Sequence, residues 1–379
     1  MSDRASRIVI IGGNFAGIGV LHGLQNAINE GKIEVTVIER LPERFNHIGS
    51  TRGMVDAEFA RKLFIPYTSL ASQKCRFLHA GVESVKQFEV ILDDGQRIPF
   101  DFLVVATGCR YAAPFYGTEP TIEGNMAVYK RYENVVRKSN DIVVVGGGSV
   151  GIEVATEIKS AYPEKNMTIV HSQSQFSLGM TSNKFPAHTL AKVSSMGVKV
   201  LFDERITFVA DEPVIGRHEV TTEKGTVLPS DLTLYCVGVG KPNSSFMASL
   251  DAVSKLILDK QGYIQVQPTL QLRDQRLLNI FCLGDVAATD SPKTGISASQ
   301  QAAVVAANIV KMVDGRSYDL VEFTSPSTQL MVLSIGKSQS SSELFFLPYW
   351  IADRIGTRLK VGDMLTNRIR SEHNITSTV

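Results

Sequence analysis

Residues 219–238 read EVTTEKGTVLPSDLTLYCVG, and residues 89–108 read EVILDDGQRIPFDFLVVATG. At a constant offset of 130, Glu, Val, Gly, Pro, Asp and the closing Gly fall in register. Each copy reads as a short hairpin turning at Gly95 or Gly225, followed by an apolar strand that closes on a glycine, Gly108 or Gly238. A second pair lies upstream. Residues 7–11 run into Gly12-Gly13-Asn14-Phe15-Ala16-Gly17, and residues 141–145 run into Gly146-Gly147-Gly148-Ser149-Val150-Gly151, at an offset of 134. Internal self-similarity of this kind means that one supersecondary plan is used twice. That plan is strand, glycine turn, helix, strand, hairpin, strand.

The strand at 142–145 is apolar without alternation, as in a parallel sheet covered by helices on both faces. Helical patterns follow the glycine turns over 15–29 and 150–161, and strands return at 34–39 and 167–171. Strand, helix and strand in this order form a right-handed crossover. The expected fold class is therefore α/β, with two Rossmann-like dinucleotide-binding domains and a C-terminal α+β region. After the second repeat, a strand and hairpin over 262–270 lead to the apolar strand 279–283 and Gly284-Asp285. That stretch is assigned back to the first domain. The expected domains are a discontinuous first dinucleotide-binding domain over 1–115 and 245–320, a second dinucleotide-binding domain over 116–244, and a C-terminal region over 321–379.

Composition narrows the class of partner. The chain has 379 residues, 44% hydrophobic and 20% charged, enough for two or three domains with sizeable cores. Its formal net charge of +1 carries no general field to draw nucleic acid, so no nucleic-acid partner is expected. Cys75, Cys109, Cys236 and Cys282 have neither the spacing of a redox-active pair nor that of a zinc site, so no metal is expected. Buried thiols in a reducing compartment are the reading. Only six residues precede the first apolar strand, and no stretch has the length of a membrane span. Ser2 stands where N-myristoylation needs glycine. A cytoplasmic protein, touching a membrane at most peripherally, is expected.

Glycines at a strand-to-helix turn let backbone N–H groups approach a pyrophosphate, and the helix N-terminus favours its charge. One copy is weak evidence; two, each inside a βαβ unit, are strong. In the second copy Gly146, Gly148 and Gly151 occupy the three required places, with Ser149 and Val150 opening the helix. In the first, Asn14 replaces the middle glycine, and asparagine tolerates left-handed backbone better than most residues. Glu39, 22 residues after Gly17 and followed by Arg40, is placed to accept both ribose hydroxyls of an adenosine. The matching place in the second domain is His171, followed by Ser172-Gln173-Ser174. With neither acid nor arginine there, NADH and NADPH both remain open.

With these motifs in hand, the chain resembles the FAD/NAD-linked pyridine-nucleotide oxidoreductases, which have the glutathione-reductase-like fold. Gly284-Asp285 looks like that family's flavin motif, whose aspartate binds the ribityl chain, and Ala106-Thr107-Gly108 looks like its ATG motif. Glu153, two residues past Gly151, matches a glutamate that faces the nicotinamide ribose in many members. VVVGGGSVGIEVATEIKSAYPEKNMTIVHSQ (143–173), FNHIGSTRGM (45–54) and the Ser-Pro-Lys that ends at Lys293 resemble the apoptosis-inducing-factor-like branch, as do Lys360 and Asp363. The resemblance implies that Arg52, Lys62, Ala80, Val82, Asp285 and Lys293 line a flavin. It departs from the branch at Asn14, at Ser2, and at Met364-Leu365, which replaces an aromatic residue.

The implied activity is a hydride passed from NADH or NADPH to FAD, then electrons to a quinone or other small acceptor. The missing close cysteine pair argues against disulfide reduction and sulfide oxidation. Glu153 and Lys293 are the candidate catalytic residues. Lys293, before a helical run at 296–313, is placed to steady the charge of reduced flavin; a solvated loop lysine is the alternative. Residues 344–360, LFFLPYWIADRIGTRLK, are expected to form a helix past Pro348, with Ile351, Ile355 and Leu359 on one face and Arg354 and Arg358 on another. Such a segment suits a membrane interface, and equally an ordinary helix packed on its domain. Two functional classes stay open: an NAD(P)H:acceptor reductase, and a redox-responsive interaction protein with slow NAD(P)H oxidation. Nothing in the sequence sets the oligomeric state.

Overall fold

A computed structural model of the chain describes residues 4–373, apart from 112–114, 116, 180, 208–209, 211, 238–239, 251–255 and 326–329. In its first half run β1 (Ser6–Ile11), α1 (Phe15–Gly23), β2 (Ile33–Glu39), β3 (Cys75–His79), β4 (Phe102–Val105) and α2 (Ile122–Lys138). Then come β5 (Asp141–Val145), α3 (Ser149–Ala161), β6 (Asn166–Val170), α4 (Phe185–Ser195), β7 (Lys199–Leu201), β8 (Val214–Thr221) and β9 (Val227–Tyr235). The chain ends through β10 (Ile280–Cys282), α5 (Gly295–Val313), β11 (Met331–Ile335), β12 (Gln339–Glu343) and α6 (Tyr349–Gly356).

The elements form two compact units. The first comprises Met1–Arg44, Pro66–Arg110 and Val239–Pro326; the second comprises Phe45–Ile65, Tyr111–Gly238 and Ser327–Val379. This division sets residues 45–65 and the C-terminal segment with the second unit. The first unit is discontinuous, and Ile280–Cys282 lies in it.

In the first unit five strands lie in the order β10-β4-β1-β2-β3, every neighbour parallel. Ile8, Val9 and Ile10 are each at most 1% exposed, so both faces of β1 are covered. That burial is why β1 needs no alternation of polar and apolar residues. On one face α1 and α5 approach closely. A Cβ on Gly19 would stand 2.8 Å from the Ala302 Cβ, and one on Gly23 would stand 2.6 Å from that of Ala306. Two small residues on each helix, one turn apart, allow the approach.

The second unit repeats the plan with strand order β7-β6-β5-β9-β8, parallel except for β8 at the edge. The paired aspartates of the sequence repeat do the same work in both copies. Asp101 accepts from the backbone N–H of Arg7 at 2.8 Å, and Asp231 from those of Asn140 and Asp141 at 2.8 and 3.0 Å. Each carboxylate thus caps the start of its unit's first strand. The copies differ after the hairpin. In the second unit the returning strand runs on unbroken as β9 into the parallel sheet. In the first, Val82–Lys86, Glu89–Leu92 and Arg97–Pro99 form a separate three-stranded sheet before β4 begins. The C-terminal segment adds the antiparallel pair β11–β12, then α6, then a π-helical turn at Thr357–Val361.

Candidate active site

The two glycine turns are superimposable in their steric logic. A Cβ on Gly12 would lie 2.3 Å from the Ala106 carbonyl oxygen, and one on Gly146 would lie 2.3 Å from that of Cys236. A Cβ on Gly17 would lie 1.8 Å from the Gly12 carbonyl oxygen, and one on Gly151 would lie 2.0 Å from that of Gly146. Backbone therefore closes these four positions from behind. The middle position is open: around Gly148 the nearest atom to a built Cβ is the Ser177 carbonyl oxygen at 3.8 Å. Such a cradle, open at the mouth of a helix, fits a pyrophosphate.

Asn14 is not in left-handed backbone. It lies at φ −107°, ψ −152° as the N-cap of α1, and its counterpart Gly148 lies at φ −89°, ψ −177° as the N-cap of α3. The middle position of this turn is extended, so the reason given for asparagine is corrected: the site needs no left-handed tolerance. Its side chain is taken up by the protein. The Oδ1 of Asn14 lies 3.5 Å from Nε of Arg44, whose buried guanidinium stands 5.0 Å from the centroid of the Phe15 ring.

Glu39 closes the first turn. Its carboxylate accepts from the N–H of Gly13 at 2.7 Å and of Leu41 at 3.0 Å, which fixes both oxygens at the end of β2. Tyr67 donates its hydroxyl to the Gly13 carbonyl at 2.7 Å and stacks on Phe77 at 4.7 Å. Burial pushes its phenol well above the ordinary range, so it stays a donor. Arg40 offers its carbonyl to His79 at 2.8 Å, and the Ala80 N–H donates to the Glu39 carbonyl at 3.0 Å. Ala80 therefore flanks the carboxyl end of β2, and Val82, two residues on, begins the strand Val82–Lys86. The Thr107–Gly108 turn is pinned by Asn243: the Thr107 hydroxyl donates to its carbonyl at 2.6 Å, and its amide donates to the Thr107 carbonyl at 3.0 Å. Gly284 lies against α1, where a Cβ would stand 3.1 Å from the Ala16 Cβ, and its N–H donates to Gln301 at 2.7 Å. Thus Gly12–Gly17, Glu39 and Gly284-Asp285, far apart in sequence, lie around one end of one sheet. Lys293 precedes α5 and donates to the Ala287 carbonyl, with its ammonium 5.0 Å from the centroid of the Tyr263 ring. Burial lowers its pKa, and the Asp285 charge opposes that shift.

Arg52 and Lys62 belong to the second unit. Lys62 is exposed at the end of the short helix Ala57–Arg61. Arg52 is buried, bonds Glu157 at 2.8 Å, and donates to the carbonyls of Val361 and Gly362 at 2.6 and 3.2 Å. Burial raises the pKa of the Glu157 carboxyl while Arg52 pulls it back. One helical turn earlier, the buried Glu153 accepts from Lys360 at 2.6 Å and from the N–H of Ser334 at 2.9 Å. Two ion pairs on α3 therefore hold the 360–362 segment. Ser149, Val150 and Gly151 form the first turn of α3, and Gly238 lies outside the described residues.

The cysteines are chemically quiet. All four are free; burial pushes the thiol of Cys75 up to about 11, those of Cys109 and Cys236 up to about 12, and that of Cys282 higher still. Each is protonated at neutral pH, and a thiol rather than a thiolate is a poor partner for disulfide exchange.

Residues 344–360 depart from the expected helical register. The α-helix ends at Gly356 and the backbone continues as a π-turn, which shifts the phase of the residues after it. Ile355, still within the α-helix, and Leu359, within the π-turn, are both exposed, as are Arg354 and Arg358. Phe345, Phe346 and Trp350 are exposed as well, Phe346 fully so. No helix among the described residues is long and apolar enough to cross a membrane.

Comparison with known proteins matches this geometry. Residues 6–303 match the family model described as pyridine nucleotide-disulphide oxidoreductase. Apoptosis-inducing factor homolog B of Dictyostelium discoideum is 28% identical over 363 residues, covering 91% of each chain. The human ferroptosis suppressor protein 1 is 30% identical over 355 residues, covering 91% of this chain and 90% of that protein. Among solved structures, the sulfide:quinone oxidoreductase of Aquifex aeolicus superimposes with a TM-score of 0.70 at 17% identity, over 97% of this chain and 92% of that one. The fold is that of the FAD/NAD(P) oxidoreductases, and the chain belongs to the pyridine nucleotide-disulphide oxidoreductase family.

Proposed function

We propose that the chain is an FAD-dependent NAD(P)H oxidoreductase that passes electrons to a quinone-type small molecule without a redox disulfide. The observation that carries this reading is the doubled glycine turn, closed by backbone in the same way in both units. In the first unit Glu39 would hold the adenosine ribose, the open turn the pyrophosphate, and Asp285 the ribityl chain, with the buried Arg44 adding positive charge beside the turn. FAD, when bound, supplies a ring that accepts a hydride and releases electrons singly or in pairs. Lys293, held between Ala287 and the Tyr263 ring, would place a cation for the reduced ring. In the second unit the α3 turn would take the NAD(P)H pyrophosphate, and Glu153, oriented by Lys360, a ribose hydroxyl.

A quinone acceptor is supported by the branch the chain resembles and by the protonated, unpaired cysteines, which leave no dithiol to reduce. The solved relative from Aquifex aeolicus names a quinone as its own acceptor. Steady-state assay of the flavin-loaded protein with NADH or NADPH and a quinone panel is expected to give turnover on the order of 1–100 per second. Negligible turnover with every quinone, despite reducible flavin, would instead make the chain a redox-responsive interaction protein.

Glu153→Ala is expected to leave FAD content and spectrum normal and to slow flavin reduction by roughly a hundredfold, since a misplaced nicotinamide costs about that much. Unchanged stopped-flow rates would remove Glu153 from the site. The segment 344–360 would bring the protein to a membrane-dissolved quinone, its exposed rings entering the interface and Arg354 and Arg358 meeting anionic headgroups. Phe346→Ser with Trp350→Ser is expected to lower liposome co-sedimentation and activity with a long-chain quinone, while activity with a water-soluble quinone persists. Equal loss of both activities would assign the segment to the core.

A further inference from the structure

The turn of each unit presents its second glycine N–H to the residue that ends the neighbouring strand, and the two units answer it with opposite chemistry. In the first, Gly13 donates to the Glu39 carboxylate at 2.7 Å. In the second, Gly147 donates to Nδ1 of His171 at 3.1 Å. His171 therefore stands in the place of Glu39, and its tautomer is set. Nδ1 accepts the hydrogen bond from the Gly147 N–H, so the ring's own hydrogen is on Nε2, which lies 3.0 Å from the Ser177 hydroxyl. Burial lowers the pKa of the ring, keeping it neutral near pH 7.

We infer that His171 makes the second dinucleotide site indifferent to a 2′-phosphate, so that the chain takes NADPH as well as NADH. This rests on the reading of the second turn as the NAD(P)H site. A carboxylate at the end of this strand accepts ribose hydroxyl protons and repels a phosphate by its charge. A neutral imidazole whose Nδ1 takes the Gly147 N–H and whose Nε2 faces the Ser177 hydroxyl carries no such charge, and so does not repel a phosphate.

The loop that follows is suited to the larger group. Residues 172–183, SQSQFSLGMTSN, contain no acid and no base. Of these, Gln173, Ser174, Ser177, Thr181 and Asn183 line a polar cavity of about 390 Å³. Hydroxyl and amide donors at this density can hydrogen-bond phosphate oxygens without demanding them, which favours tolerance over strict NADPH use. Glu343 is bonded to one lining residue, Ser182, through that residue's N–H and hydroxyl, and its carboxylate also meets the Tyr349 hydroxyl. Asp203 and Glu204 meet the strand end and loop through their backbone N–H groups, at 3.0 Å to the Gln173 and His171 carbonyls.

Calorimetric titration of the flavin-loaded protein with ADP-ribose and with 2′-phospho-ADP-ribose tests this without turnover. The wild type is expected to bind the two within about tenfold of each other. His171→Glu, whose carboxylate can take the Gly147 N–H as Glu39 takes that of Gly13, is expected to keep ADP-ribose and weaken the phosphorylated ligand by about a hundredfold. His171→Gln, neutral at the same place, is expected to keep both. A wild-type preference beyond about a hundredfold for either ligand, or a His171→Glu variant with an unchanged ratio, overturns the inference while leaving the second site intact. Binding of neither ligand by the wild type overturns the assignment of the site itself, and the inference with it.

Discussion

Gly17→Ala is expected to yield a colourless protein, and Gly151→Ala a yellow one whose flavin NADH and NADPH no longer reduce. The two substitutions are chemically identical and sterically matched. An alanine Cβ would stand 1.8 Å from the Gly12 carbonyl oxygen in one and 2.0 Å from the Gly146 carbonyl oxygen in the other. Relief of such overlaps moves the start of α1 or α3 by more than an ångström, away from the strand that feeds it. The N–H groups of the turn then no longer converge on one point, and a shift of that size costs about a hundredfold or more in a positioned reaction. The split matters more than the losses. Flavin content and absorbance read the first turn, and anaerobic reduction reads the second. A colourless Gly151→Ala protein, or a Gly17→Ala protein with full flavin, would mean that the cofactors are assigned to the wrong turns.

Glu157→Ala should cause the largest loss of stability. Glu157 is fully buried and its partner Arg52 only 4% exposed, so the truncation leaves a guanidinium charge enclosed with two carbonyls and no anion. Breaking a buried pair from one side costs about 3–5 kcal/mol. At roughly 2–4 °C per kcal/mol for a unit of this size, the melting transition should fall by about 10 °C. Replacing both partners together, as Arg52→Met with Glu157→Leu, removes the stranded charge and should recover most of the loss. A double variant no more stable than the single one would show that the network acts by packing and not by charge.

The parts of the fold written in short-range spacing were legible in the sequence. Glycine positions within six residues define each turn, and Asp101 and Asp231 mark the repeat, although the strand cap each forms is visible only in the structure. The backbone of Asn14 was misread because residue preference describes a conformation in isolation, while the turn demands an extended N-cap whatever occupies it. Long-range pairings left no signal. Tyr67 reaches Gly13 across 54 positions, Arg52 reaches Glu157 across 105, and Lys360 reaches Glu153 across 207. No local pattern encodes such a contact, because it depends on where whole elements pack. The π-turn at Thr357–Val361 is a tertiary effect of the same kind, since two of its residues, Lys360 and Val361, bond Glu153 and Arg52.

Anaerobic stopped-flow mixing of the flavin-loaded wild-type protein with NADH or NADPH tests the central claim most directly. The account predicts bleaching of the oxidised flavin absorbance in a single phase that saturates with nicotinamide concentration, followed by its full return when a quinone is added. Flavin that stays oxidised through many seconds at saturating NADH and NADPH would contradict it.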